Sequence, residues 1–192
     1  MQIFTNRSVA ALTMVAAFAA PAAAAQEVPQ AYVESCARVD QPARSCIEEP
    51  AAAPAGLDVG ASARSWVDAQ CRWNRTGVLT QMNALYEVEV IAQTEAWFDD
   101  ELESDLATGW IGRIARLVGF FARGFARDVH SPMYALIAAQ GKEGNDYTLV
   151  GSRGAVTGTR EQPAELLLFA NDWPSKYQNN HGCLKVQITR KR

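Results

Sequence analysis

Alternation between apolar and polar residues, in short segments separated by turn residues, is the feature that most restricts the fold of this chain. Residues 84–92 and 183–189 both show it. The apolar members of the two segments are Tyr86, Val88, Val90, Leu184, Val186 and Ile188. A period of two is typical of half-buried antiparallel strands, and turn signals recur about every ten residues. We therefore predict an all-β protein, a jelly-roll-like antiparallel β-sandwich.

The first 25 residues are typical of a cleavable export signal. Arg7 precedes an apolar run from Val9 to Ala20, and the small residues that end at Ala25 are those that signal peptidase requires. The run is too short to span about 30 Å of hydrocarbon comfortably. We expect cleavage after Ala25 and a periplasmic or secreted protein.

Composition divides the rest of the chain into two parts. Residues 26–64 are rich in Ala, Pro, Gly and Gln and predict an irregular N-terminal segment, whereas residues 65–192 form the sandwich domain. Loss of the leader, which carries one arginine and no acid, takes the formal net charge from −3 to −4. This acidic excess argues against nucleic acid as a partner.

Four cysteines, Cys36, Cys46, Cys71 and Cys183, follow the leader. An even number in an oxidising compartment favours disulfides, and four cysteines allow three connectivities. We favour Cys36–Cys46, because the loop between them closes easily, with Cys71–Cys183 joining the first strand to the last. No CxxC spacing is present, which argues against a zinc site.

The segment Trp110–Val129 departs from the β pattern and predicts one inserted amphipathic helix. Its basic side carries Arg113, Arg116, Arg123 and Arg127, and its apolar side carries Ile114, Leu117, Val118, Phe121, Phe125 and Val129. Two interpretations are open. The apolar side packs on the sandwich, which we favour, or it docks on a membrane surface or a protein partner.

Residues 168–182 contain the side chains with the clearest chemistry. Asp172 ends one predicted strand, and Asn179 and Asn180 precede the next. Calcium takes six to eight oxygen ligands from carboxylates, amides and backbone carbonyls. Asp172, Asn179 and Asn180 can supply three, and the carbonyl of Lys176 a fourth. Asp and Asn are also ordinary turn residues, so the alternative is a simple turn.

This segment resembles the calcium-binding loop of the galactose-specific bacterial lectins of the LecA (PA-IL-like) family. The residues that carry the resemblance are Asn171, Asp172, Tyr177, Asn179, Asn180 and Gly182, followed by an alternating strand. The similarity is close over residues 168–188 and looser over residues 66–190. It implies a sandwich with calcium at one end. The implied ligands are the side chains of Asp172, Asn179 and Asn180 and the backbone carbonyls of Lys176 and Asp100.

In the lectins, sugar hydroxyls complete the calcium shell, so the resemblance implies a glycan ligand near Asp172, Trp173 and Asn179. Trp173 either stacks on a sugar face or covers the loop. The family takes its sugar-contacting His and Gln from a long loop, which here is Asp100–Pro132 and holds the predicted helix. Galactose specificity is therefore not implied.

The predicted function is that of an exported, calcium-binding, lectin-like carbohydrate-binding protein. The alternative is a periplasmic envelope protein with a structural calcium site, which binds a membrane or partner through its amphipathic helix. We do not expect an enzyme, because the sequence has no GxSxG and no HExxH motif. The acidic stretch 95–105 offers paired carboxylates for hydrolysis, but such stretches are more often solvated loops.

Overall fold

The protein is built mainly from β-strands, with one α-helix in the part of the chain that is described. The computed structural model describes residues 53–93, 97–142 and 146–192. The predicted leader, Cys36 and Cys46 lie outside these residues and stay predictions.

Thirteen short strands and three helical segments follow one another along the described residues. The strands are β1 Ala55–Gly56, β2 Ser62–Asp68, β3 Asn74–Thr80, β4 Leu85–Gln93, β5 Trp97–Asp99, β6 Leu102–Asp105, β7 Gly109–Trp110, β8 Leu136–Gln140, β9 Tyr147–Leu149, β10 Arg153–Thr157, β11 Ala164–Ala170, β12 Asn180–His181 and β13 Cys183–Arg190. The helix α1 is Arg113–Ala122, and 3-10 turns occupy Arg123–Phe125 and Tyr177–Asn179.

Two sheets enclose the core between them. One has the strand order β1-β3-β11-β8-β9 and the other the order β10-β4-β13-β2, with antiparallel pairing except between β1 and β3. Leu166 and Leu168 of β11 pack in one cluster with Val186 and Ile188 of β13, and all four are fully buried. The predicted all-β sandwich with one inserted helix is confirmed.

Strand β4 shows why the alternating segments fold as they do. Tyr86 and Val88 are fully buried, while Glu87 on the opposite face remains partly exposed. The Glu87 carboxylate binds Arg153 at 2.9 Å and Lys191 at 2.8 Å. Burial of one face and solvation of the other is the arrangement that a period of two predicts.

A third, smaller sheet of order β12-β5-β6-β7 adjoins the sandwich. The acidic stretch 95–105 contributes two strands to it, β5 and β6, which pair through Trp97 and Ser104. Strand β12 then pairs with β5, placing Asn180 opposite Asp99. This sheet therefore joins the acidic stretch to the segment predicted to bind calcium.

The predicted domain boundary at residue 65 lies inside a strand, because β2 already begins at Ser62. Strands β9 and β10 follow each other in the chain but do not form a hairpin. Gly151, with φ of +63°, turns the chain so that β9 pairs in one sheet and β10 in the other.

The preferred interpretation of the inserted segment is wrong, because the large apolar side chains of α1 and of the 3-10 turn that follows it point away from the core. Five of them, which we call the apolar face, are between 52% and 81% exposed. The apolar face consists of Ile114, Leu117, Val118, Phe121 and Phe125. No helix in the described residues is long and apolar enough to cross a membrane.

Two cysteines lie within the described residues. Cys71 and Cys183 are buried, and neither is a free cysteine. The pairings Cys36–Cys46 and Cys71–Cys183 remain predictions.

Candidate functional site

The third sheet and the end of β11 bring four polar side chains to one end of the sandwich. Asp172 follows β11, and Asn180 in β12 lies opposite Asp99 in β5. The Asn179 side chain donates its Nδ2–H to Asp99 at 2.9 Å, and the Asn179 backbone carbonyl accepts the Asp100 backbone N–H at 3.0 Å. We call Asp99, Asp172, Asn179 and Asn180 the oxygen cluster.

Three side-chain oxygens of the oxygen cluster are buried and have no hydrogen-bond partner among the described residues. They are Oδ2 of Asp172, Oδ1 of Asn179 and Oδ1 of Asn180. Asp172 is 2% exposed and Asn180 is fully buried. A buried polar atom without a partner costs about 1–3 kcal/mol. Carboxylate and carboxamide oxygens of this kind are the ligands that a hard cation such as calcium prefers, although a full calcium shell needs six to eight of them.

The carboxyl groups of the oxygen cluster have altered proton affinities. Burial, and then the negative charge of Asp172, raise the pKa of Asp99 to about 6, although the hydrogen bond from Asn179 opposes the rise. Burial also raises the pKa of Asp172, against the Trp173 backbone N–H, Asn180 and Lys176. Two carboxylates that repel each other in a desolvated site favour a bound cation.

A set of buried hydrogen bonds, which we call the frame, holds the chain segments around the oxygen cluster in place. Tyr134, at φ of +64°, donates its backbone N–H to the Asn171 carbonyl at 2.7 Å. The Trp97 indole N–H donates to the Tyr134 carbonyl at 2.9 Å. Tyr177 is buried and donates its hydroxyl to the Ala170 carbonyl at 2.6 Å. These bonds fix both chain segments that enter the site.

The predicted ligands are distributed unevenly around this site. The structure brings together the side chains of Asp172, Asn179 and Asn180. The Lys176 carbonyl accepts the Asn179 backbone N–H at 3.3 Å, and its side chain is exposed. Asp100 lies beside the cluster with an exposed side chain and φ of +54°.

Asp99 is the site residue that sequence reasoning missed. Six acids lie between residues 95 and 105, and charge alone does not distinguish them. The available signal was strand alternation: Trp97 and Asp99 lie two residues apart, so they share a face. Both are buried, at 0% and 8% exposure, whereas Asp100 is exposed.

The composition of the oxygen cluster also restricts the kind of cation. Within the described residues, no group of three or more His, Cys, Asp or Glu side chains is placed to hold a metal ion. The cluster instead combines two carboxylates with two carboxamides. Such an all-oxygen set suits calcium better than zinc or copper, which prefer nitrogen and sulfur ligands.

Trp173 has contacts on the side facing the helical segment. Its ring packs on Phe125 with centroids 5.4 Å apart, and its indole N–H donates to the Ala122 carbonyl at 3.2 Å. These contacts favour the interpretation in which Trp173 covers the loop.

Arg127 belongs to the frame and not to an exposed basic side. Its guanidinium lies over the rings of Trp73 and Phe169, 3.6 and 3.8 Å from their centroids. Its backbone N–H donates to the Asp172 carbonyl at 3.2 Å. The chain that leaves the helical segment is thus attached directly to the oxygen cluster.

Comparison with known proteins gives a distant structural likeness. No family model matches the sequence, and no curated protein matches it. Among solved structures, the chain is similar to one described as "EclA N-terminal domain; PllA-like lectin", with a TM-score of 0.44 and 21% identity. The match covers 66% of this chain and 94% of that one. A likeness this distant carries no argument about the site.

The raised pKa of Asp99 predicts how pH affects stability without calcium. The folded protein holds this proton up to about pH 6, whereas the unfolded chain releases it near 3.8. Protonation of Asp99 therefore contributes fully to the stability of the folded protein below the unfolded pKa. This contribution is lost as pH rises through about 6. In EDTA, we expect Asp99→Asn to be more stable than wild type at neutral pH, by about 1–2 kcal/mol after solvent screening.

Urea unfolding in EDTA at several pH values measures this difference. Asp100→Asn is the matched control, since it removes one carboxylate from the exposed neighbour and should leave the pH dependence nearly unchanged. Equal slopes for wild type and Asp99→Asn between pH about 4 and 7 would contradict the prediction.

Proposed function

We propose that the oxygen cluster binds one calcium ion. The observation that carries this proposal is the set of three buried, unpartnered oxygens on Asp172, Asn179 and Asn180. Asp99 and Asp172 would supply the negative charge, and Asn179 and Asn180 neutral oxygens. A bound cation would offset the repulsion between the two carboxylates and satisfy all three orphaned atoms.

We further propose that the ion serves carbohydrate binding in an exported, lectin-like protein. Residues 174–176 are exposed and Asn179 is partly exposed, so the loop reaches solvent on one side. Vicinal hydroxyls of a sugar are oxygen ligands that replace water on a hard cation. The resemblance to the LecA-like calcium loop supports the same function, and the predicted disulfides would suit an exported protein.

Glycan-array screening followed by calorimetry tests this function. Binding of a sugar is expected in calcium, and we expect at least a hundredfold loss of affinity in EDTA and in Asp172→Asn. A loss of that size is more than about 2.7 kcal/mol of binding free energy. Asp100→Asn, which changes the same charge outside the oxygen cluster, is expected to bind normally. Sugar binding that persists in EDTA would refute the role of the ion.

A further inference from the structure

The helix α1 packs on the sandwich through its small residues. Gly119 is buried, and a Cβ added there would lie 3.1 Å from the Trp110 ring. Ala115 and Ala122 also pack partly buried against the core. A helix that served only to cover the core would turn its large apolar residues inward, and α1 does the reverse.

The apolar face is a continuous exposed surface at helical spacing. Ile114 and Phe121, at i and i+7, are 81% and 72% exposed, and Leu117 and Val118 lie between them. Phe125 extends the surface past the helix end and is 68% exposed. Exposed apolar patches of this kind mark interaction sites with proteins or membranes.

The charges around the apolar face favour one kind of partner. Residues 106–126 hold three arginines and no acid, in a chain whose formal net charge is −3. Arg116 and Arg123 also line a pocket of about 220 Å³ with Thr108, Trp110 and Phe120. No acidic side chain lines this pocket, so it suits a phosphate group.

A second copy of the chain suits this surface poorly. A twofold contact through the apolar face would cover the apolar side chains but would offer no acidic group to Arg116 and Arg123, since residues 106–126 contain none. An anionic lipid surface presents apolar chains and phosphates together, and so complements both features.

We propose that the apolar face of α1 inserts into the interfacial region of an anionic phospholipid membrane, with Arg116 and Arg123 binding lipid phosphates. The helix then lies in the plane of the interface, because it is too short to span it. This proposal is independent of calcium or sugar binding at the oxygen cluster.

Co-sedimentation with phosphatidylcholine vesicles, with and without phosphatidylglycerol, tests the proposal. The complete sequence is expressed, and an intact mass confirms that all variants have the same N-terminus. Wild type is expected to bind the anionic vesicles. Ile114→Asp/Phe121→Asp is expected to lose at least roughly tenfold in affinity. Val59→Asp/Met82→Asp, which places the same charges on other exposed apolar residues, should bind as wild type does.

Arg116→Gln/Arg123→Gln is expected to weaken binding to the anionic vesicles by on the order of tenfold. Circular dichroism confirms that every variant is folded. Three results would overturn the proposal. They are no vesicle binding by wild type, equal binding with and without phosphatidylglycerol, and a dimer in sedimentation velocity that Ile114→Asp/Phe121→Asp abolishes.

Discussion

Saturating calcium is expected to raise the unfolding midpoint of the protein by on the order of 10 °C, and Asp172→Asn is expected to abolish that rise. A ligand that binds only the folded state at a hundred times its dissociation constant adds about 2.7 kcal/mol. The substitution keeps the oxygen that accepts the Trp173 backbone N–H at 2.6 Å. It removes only the charge and one of the unpartnered oxygens.

Differential scanning fluorimetry with calcium and with EDTA measures this effect. Asp100→Asn controls for the loss of one negative charge in the neighbourhood, and it is expected to respond as wild type does. Magnesium is the second control, since its stricter octahedral geometry suits a smaller and more hydrated site. If calcium left the unfolding midpoint of the wild type unchanged, the proposal that the oxygen cluster binds calcium would be wrong.

The second large effect is expected at Asn171, where Asn171→Asp should destabilise the protein by at least about 3 kcal/mol. The Asn171 side-chain amide donates to the carbonyls of Asp128, Ser131 and Pro132 at 2.9, 3.2 and 3.0 Å. Its oxygen accepts the Asp128 backbone N–H at 2.9 Å. A carboxylate at this fully buried position cannot donate, and it would face three carbonyl oxygens.

Urea unfolding of Asn171→Asp against wild type measures this loss. Asn83→Asp is the matched control, because Asn83 is exposed and Asp also tolerates its φ of +62°. Since domains of this size are stable by only about 5–15 kcal/mol, the Asn171 variant should be near the limit of folding. A change of less than about 1 kcal/mol would mean that the amide contributes little to the frame.

The local sequence pattern was sufficient to predict the strands in which apolar and polar residues alternate strictly. Strands β4 and β13 lie where residues 84–92 and 183–189 predicted them, because a period of two identifies both the strand and its buried face. The loop after β11 was also predictable, since Asp172 and the Asn pair stand in fixed positions next to two inner strands. Their chemistry could therefore be stated from the sequence.

Asp99, the site residue that was not predicted, enters the site through pairing between segments that are distant in the sequence. Asp99 joins Asn180 only through the register of β5 with β12, and a single sequence does not specify that register. The orientation of α1 was unpredictable for a related reason. The helical wheel defines an apolar side, but the packing of Gly119 on Trp110 decides which side contacts the sandwich.

The position of β13 has a consequence for how the protein folds. This strand lies between β2 and β4, so the two early strands of that sheet have no direct pairing with each other. The Ser62 hydroxyl, for example, bonds that of Thr189, 127 positions along the chain. Contacts between residues that lie so far apart in the sequence slow the search for the native state. The sheet of β10, β4, β13 and β2 therefore stays incomplete until the last strand of the chain, β13, is inserted between two strands that were made much earlier.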